Sequence, residues 1–204
     1  MVFGKLWNES AKRFPLLTLS VTNGALAAAG DVVAQKFTGN DLDEIEGKKA
    51  SHDFSQTARF FLYGFMFAPI SYKWYSILSH RFPMKPVVGN MKRKLGMDEW
   101  KVVSKRVMAD QFLFAPLAVG MFIGTMGVLE RKNFTQIKQN FKDRYIVNLA
   151  AGYFLWPAVQ IVNFSIIPLI YRVPFTGLAS LFWNAFLSFS NSKTSFKEAA
   201  KILE

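Results

Sequence analysis

The chain has 204 residues, 51% hydrophobic and 19% charged, and Lys and Arg outnumber Asp and Glu by 25 to 14 for a formal net charge of +11. The length points to one domain, residues 1–204, and the apolar content excludes a disordered chain. With no cysteine, disulfide scaffolds, thiolate metal sites and cysteine nucleophiles are excluded as well.

Met1–Pro15 carries Lys5, Lys12 and Arg13 against Glu9, with no apolar core followed by a small-residue cleavage site, so it is not a secretory signal. It reads as a weakly basic import leader or as a lead-in to the first helix. Five apolar stretches follow, at residues 16–37, 60–79, 107–129, 145–171 and 173–192. Their most apolar parts, Leu16–Gln35, Phe60–Leu78, Val107–Leu129, Tyr145–Tyr171 and Val173–Ser192, make up more than half of the chain. They hold only three charged side chains, Asp31, Lys73 and Asp110. About 20 apolar residues cross a hydrocarbon core of roughly 30 Å, so the first four stretches are predicted spans. The fifth is strongly apolar only over Phe175–Phe189, contains Trp183-Asn184, and either spans or lies against the others. The predicted fold class is all-α, an integral membrane bundle of four transmembrane helices plus a short fifth apolar helix.

Between these stretches, Thr38–His52 is acidic and reads as a solvated loop, whereas Arg81–Lys105 is basic, a loop leading into a helix with Asn90–Leu95 as a short interfacial helix. Glu130–Arg144 carries charges of both signs. Basic side chains favour the side that is not translocated. Four crossings put more Lys and Arg on the side of both termini, and a fifth crossing would remove the difference. Arg59–Pro69 and Arg106–Pro116 agree at Arg, two Phe, Ala and Pro. They open consecutive, opposed spans, as an inverted repeat would.

Polar groups inside the spans are expensive in lipid and face protein or water. Asp31 and Gln35 share one helical face. Arg106 and Asp110 have the spacing of an intrahelical ion pair, and Gln111 adds an amide beside them. Gly152, Trp156, Gln160 and Asn163 recur at four, four and three residues, one stripe of the fourth span. Arg59 opens the second. These groups line a hydrated path or act as hydrogen-bonding glue between helices. Gly24 with Ala28, and Gly120 with Gly124 and Gly127, suit close helix packing within one copy. Pro69, Pro116, Pro157 and Pro168 predict kinks. Tyr72, Trp74 and Tyr75 fit an interfacial belt.

With only His52 and His80, neither a histidine metal site nor a catalytic triad has the residues it needs, so no metal, no cofactor and no enzyme is expected. The aromatics lie in apolar runs rather than among exposed positive charges, which argues against nucleic acid. The bilayer, small hydrophilic solutes and a second copy of the chain are the partners this reading admits.

Several pieces taken in order resemble the Mpv-seventeen family. They are Gly30-Asp31 with Ala34-Gln35, Arg59 with Gly64 and Lys73-Trp74-Tyr75, and Asp110-Gln111 with Phe114-Ala115-Pro116. Trp156-Pro157 with Gln160, Asn163-Phe164 and Pro168, then Arg172 and Trp183-Asn184, complete the pattern. That family includes the peroxisomal membrane protein of twenty-two kilodaltons and mitochondrial inner-membrane members of yeast and animals. The resemblance implies a small multi-span organellar membrane protein, of a kind described as weakly selective channels for small metabolites. It points to the mitochondrial inner membrane, with the peroxisomal membrane as the alternative, and a non-conducting scaffold is the rival function. Tyr145-Ile146 and Gly152-Tyr153 depart from the family pattern, so solute selectivity is not carried over.

Overall fold

A computed structural model describes residues 2–46, 51–84 and 96–184, with side chains for 4–37, 51–84 and 96–184. Among the described residues all regular structure is helical. In chain order it comprises α1 (Val2–Arg13), α2 (Pro15–Glu46), α3 (Phe54–Arg81), α4 (Met97–Ala109), a π-helical turn (Asp110–Phe114), α5 (Ala115–Leu129) and α6 (Phe134–Ser165). A further helix, α7, covers residues 169–184. The predicted interfacial helix at Asn90–Leu95 and the fifth stretch beyond residue 184 lie outside the described residues.

Local chemistry sets the boundaries. Pro15 has no N–H to lose at the first position of a helix and restrains Phe14, so the chain breaks between α1 and α2. Asp53 caps α3 by accepting from the Gln56 N–H at 2.9 Å. Asn133 and Gln136 cap α6 reciprocally, each side chain accepting from the other's backbone N–H at 2.9 Å. Just before it Arg131 takes a positive φ of 57°, and the Lys132 N–H returns to Gly127 O at 3.0 Å, so α5 and α6 form a tight hairpin.

The helices do not follow the apolar stretches. α2 runs on to Glu46, into the acidic segment expected as a loop, and α6 begins eleven residues ahead of its apolar stretch, inside Glu130–Arg144. Hydropathy marks the part of a rod that meets lipid, whereas the rod ends where capping or proline ends it. The stretch 145–171 is in turn cut in two, because helix stops at Ser165 and resumes at 169 after Pro168. Three helical rods are long and apolar enough to cross a membrane: Pro15–Phe37, Met97–Leu129 and Phe134–Ser165. α3, at 28 residues, has the length, but Pro69, Lys73 and its tyrosines and Trp74 dilute its hydropathy.

α3 packs through a seam. Its buried residues Gly64, Ala68, Ser71, Tyr75 and Leu78 recur at alternating steps of four and three, the spacing of one continuous helical face. A Cβ at Gly64 would lie 2.8 Å from both Ala27 Cβ and Asn23 O, and one at Gly24 2.9 Å from Phe61 O, so α2 and α3 cross backbone to backbone. Ala27, rather than Ala28, meets Gly64. α7 meets the same residue of α2, since a Cβ on Gly177 would lie 2.6 Å from Asn23 Oδ1. Gly120 and Gly124 accept the Phe141 ring of α6, and Gly127 accepts Ile137. Trp74 and Tyr75 are not belt residues: Tyr75 is in the seam and Trp74 turns to a buried carboxylate.

Eleven polar or charged residues are buried among the described residues, as many as apolar ones, while Phe112, Phe154 and Phe182 are 70%, 90% and 70% exposed. Water-soluble proteins rarely bury so much polarity or expose such aromatic surface. Lipid around the bundle accounts for both, and the chain is a membrane protein with membrane-spanning helices.

Candidate functional site

The site grows from the π-helical turn. In place of the usual α-helical bond, the Ala115 N–H reaches back to Asp110 O, inserting one extra residue just ahead of Pro116. That shift of phase brings Asp110, Gln111 and Phe114 all to buried positions. Asp110 Oδ1 accepts from Trp74 Nε1 at 2.9 Å, and Oδ2 accepts from Gln111 Nε2 at 2.9 Å. The Trp74 ring stacks on Phe114, with centroids 5.1 Å apart and planes 7° apart, which fixes the donor. The expected ion pair with Arg106 is absent. Arg106 Nε and Nη2 instead donate to Phe82 O at 3.1 and 2.6 Å, closing the C-terminal end of α3.

Across from the turn, Gln160 Nε2 donates to Tyr75 OH at 3.2 Å, and Asn163 Nδ2 donates to Gln160 Oε1 at 2.7 Å. Tyr153 OH donates to Gln111 O at 3.1 Å. Two buried acceptors, Gln111 Oε1 and Asn163 Oδ1, have no partner. Buried polar atoms are nearly always paired, so an orphan beside a void marks a place for water or ligand.

The void is a cavity of about 320 Å³ between α2, α3, the π turn with α5, α6 and α7. Of the residues singled out by sequence, Asp110, Gln111, Trp156, Gln160 and Gly152 line it. Asn163 stands behind Gln160. Sequence reasoning missed Tyr75 and the small polar wall of α7, Thr176 and Ser180. The seam spacing of Gly64, Ala68, Ser71 and Tyr75 was the available signal for the former.

Asp31 and Gln35 belong elsewhere. Asp31 accepts from Gln56 Nε2 and Thr57 Oγ1, each at 2.6 Å, and from Gln35 Nε2 at 2.7 Å. Gln35 Oε1 in turn accepts the Asp53 N–H at 2.8 Å, and His52 Nε2 lies 3.0 Å from Thr57 Oγ1. This knot ties α2 to the start of α3. Arg59 lies close by, donating to Ser55 Oγ at 2.8 Å and pairing with Asp53 at 3.5 Å. The two segments aligned as a repeat therefore differ locally, with Arg59 on its own helix start and Arg106 on another helix. Arg172, also buried, donates to Ser79 Oγ at 2.8 Å and Ile167 O at 3.1 Å. Among the described residues no group of three or more acidic or histidine side chains could hold a metal ion.

The model of the Mpv17 / PMP22 family matches residues 127–188. Similarity to individual proteins extends much further. Protein SYM1 of Kluyveromyces lactis is 35% identical over 191 residues, 93% of this chain and 90% of that protein. Protein SYM1 of Saccharomyces cerevisiae is 32% identical over 198 residues, 97% and 94% of the two chains. Protein sym-1 of Neurospora crassa is 37% identical over 180 residues, 88% and 93%. No solved structure matches. With identity above 30% along nearly the whole length of several SYM1 proteins, the chain belongs to the Mpv17 / PMP22 family.

Proposed function

We propose that the chain forms a weakly selective channel for small hydrophilic metabolites, and that its cavity is the hydrated middle of the path. The observation that carries this reading is the cavity of about 320 Å³ lined by the buried Asp110 and by Gln111, whose amide oxygen has no partner. The polar groups that interrupt its largely apolar wall, Asp110, Gln111, Gln160 and Thr176, give water partners there.

The finer topology is part of the proposal. α3 crosses together with the three more apolar rods, its polar groups sheltered in the seam, and the termini share the more basic side. Met97–Leu129 has 33 residues and is roughly 50 Å long at 1.5 Å per residue, so its ends emerge on opposite faces. The natural chain lacks cysteine, so single cysteines at Asp98 and Arg131 should label from opposite faces. Labelling of both from one face would refute the crossing. The Asp43 and Lys92 pair suggested by sequence involves side chains outside the described residues. The mitochondrial inner membrane is the proposed location, on the resemblance of the Trp156-Pro157, Gln160 and Asn163-Phe164 string to mitochondrial members. Imaging a tagged copy against mitochondrial and peroxisomal markers tests it.

The deciding experiment is reconstitution of the pure protein in planar bilayers. Conductance altered by Asp110→Asn with Gln160→Leu is expected. No conductance, or conductance that this pair leaves unchanged, would overturn the reading. The rival, a non-conducting scaffold, draws on the three-donor knot around Asp31. It predicts that the same pair lowers thermal stability while organellar solute exchange stays intact.

A further inference from the structure

We propose that the cavity recognises small organic cations, amines or quaternary ammonium ions, between the Asp110 carboxylate and its aromatic walls. The inference rests on the reading of the cavity as a solute path and narrows the class of solute.

Three observations converge. The first is charge. Of the 28 described residues that line the cavity, Asp110 is acidic and none is Lys or Arg. Arg59 and Arg106, the candidates from sequence, and the buried Arg172 donate elsewhere: Arg106 to Phe82 O, Arg172 to Ser79 and Ile167, Arg59 to Ser55 and Asp53. A phosphate or carboxylate would therefore meet a like charge with no cation to offset it.

The second is the sense of the hydrogen bonds. A carboxylate offers about four acceptor positions. Trp74 and Gln111 each donate one bond to Asp110. Gln111 turns its amide nitrogen toward that carboxylate, which leaves its Oε1 buried and unpartnered. What the turn lacks is a donor. A buried carboxylate without a cationic side chain beside it holds either a proton or a cation; a protonated amine supplies both the charge and the missing N–H, and a quaternary ammonium ion supplies the charge.

The third is the wall. Nine of the 28 lining residues are aromatic, among them Tyr63, Tyr75, Tyr153, Trp156 and Trp183. Ring faces carry negative partial charge, and a carboxylate within an aromatic enclosure is the chemistry that holds alkylammonium groups. The volume of about 320 Å³ is at the small end of ligand sites.

Three isosteres separate charge from shape: choline, the neutral 3,3-dimethylbutan-1-ol and the anionic 3,3-dimethylbutanoate. Binding to the purified full-length chain is read by tryptophan fluorescence and by thermal unfolding in detergent. Choline should bind at least about tenfold more tightly than the alcohol, with the acid weakest. Asp110→Asn should bring choline and the alcohol to equal affinity while retaining the alcohol. Equal binding of the three by the natural protein, no binding of any, or preference for the acid overturns the proposal. That comparison decides even if the variant does not fold. A choline preference that persists in a folded Asp110→Asn overturns the role of the carboxylate. Conductance is measured on the same preparation. Current without discrimination among the isosteres overturns the cation site and leaves the channel standing, whereas choline binding without current does the reverse.

Discussion

Among the described residues two carboxylates, Asp31 and Asp110, are buried, and their surroundings differ. Asp31 is enclosed by three donors, Gln35 on its own helix and Gln56 and Thr57 on α3, and the last two tie α2 to α3. Asp110 has two donors, a neighbouring amide oxygen without a partner and a cavity in front of it. Burial is the same, 2% exposed in each case. What separates a structural carboxylate from a candidate functional one is therefore how completely it is satisfied. Of about four acceptor positions on a carboxylate, three are filled at Asp31 and two at Asp110, so Asp110 has more to offer a solute.

That contrast is open to direct attack. The largest effect should come from Asp31→Ala, which removes three hydrogen bonds to a buried carboxylate, at about 1.5–3 kcal/mol each. A loss of roughly 3 kcal/mol or more in detergent unfolding is expected, with unchanged conductance per surviving molecule. A loss near zero would erase the distinction. Gly64→Ala comes next. Its new Cβ meets Ala27 and the Asn23 carbonyl at 2.8 Å, so α2 and α3 must separate, at about 1–3 kcal/mol. Because Gly64 also lines the cavity, solute binding should change with stability, whereas Asp31→Ala should separate the two.

Asp110→Asn should be milder for stability, within about 2 kcal/mol, since the amide keeps the acceptor for Trp74. Its effect should appear in conductance and solute preference instead. The smallest effect belongs to Asp53, at the surface beside the Asp31 knot. The Gln56 N–H above all, and the Arg59 guanidinium as well, hold its carboxyl below the ordinary 3.8. A depressed folded-state pKa adds stability that is present above the unfolded value and is lost as pH falls through the folded one. Asp53→Asn, which keeps a capping side chain, should therefore differ slightly from the natural protein at neutral pH and converge with it in strong acid, as thermal unfolding across pH would register.

Sequence made the helical class and the inward stripe of α6 legible, because Gly152, Trp156 and Gln160 repeat with the period of a helix and interrupt an apolar run. Asp110-Gln111 stood out for the same reason. The π turn did not, since one displaced hydrogen bond leaves no periodic trace and Pro116 alone predicts only a kink. Trp74 and Tyr75 were read as a belt because an aromatic near the end of an apolar run looks the same whether it faces lipid or protein. The partners of Asp31, Gln56 and Thr57, lie before the second apolar stretch, where polarity is unremarkable. Only the packing of α3 on α2 brings them to the carboxylate.

The N-terminal helix adds a consequence for biogenesis. Trp7 stacks on Tyr171 with centroids 5.4 Å apart, and Tyr171 OH donates to Asn8 Oδ1 at 2.6 Å across 163 positions of chain. During synthesis α1 leaves the ribosome long before its mate exists, so this clasp closes only after most of the polypeptide has been made. Until then the amphipathic α1 must wait on the membrane surface or in the care of a chaperone.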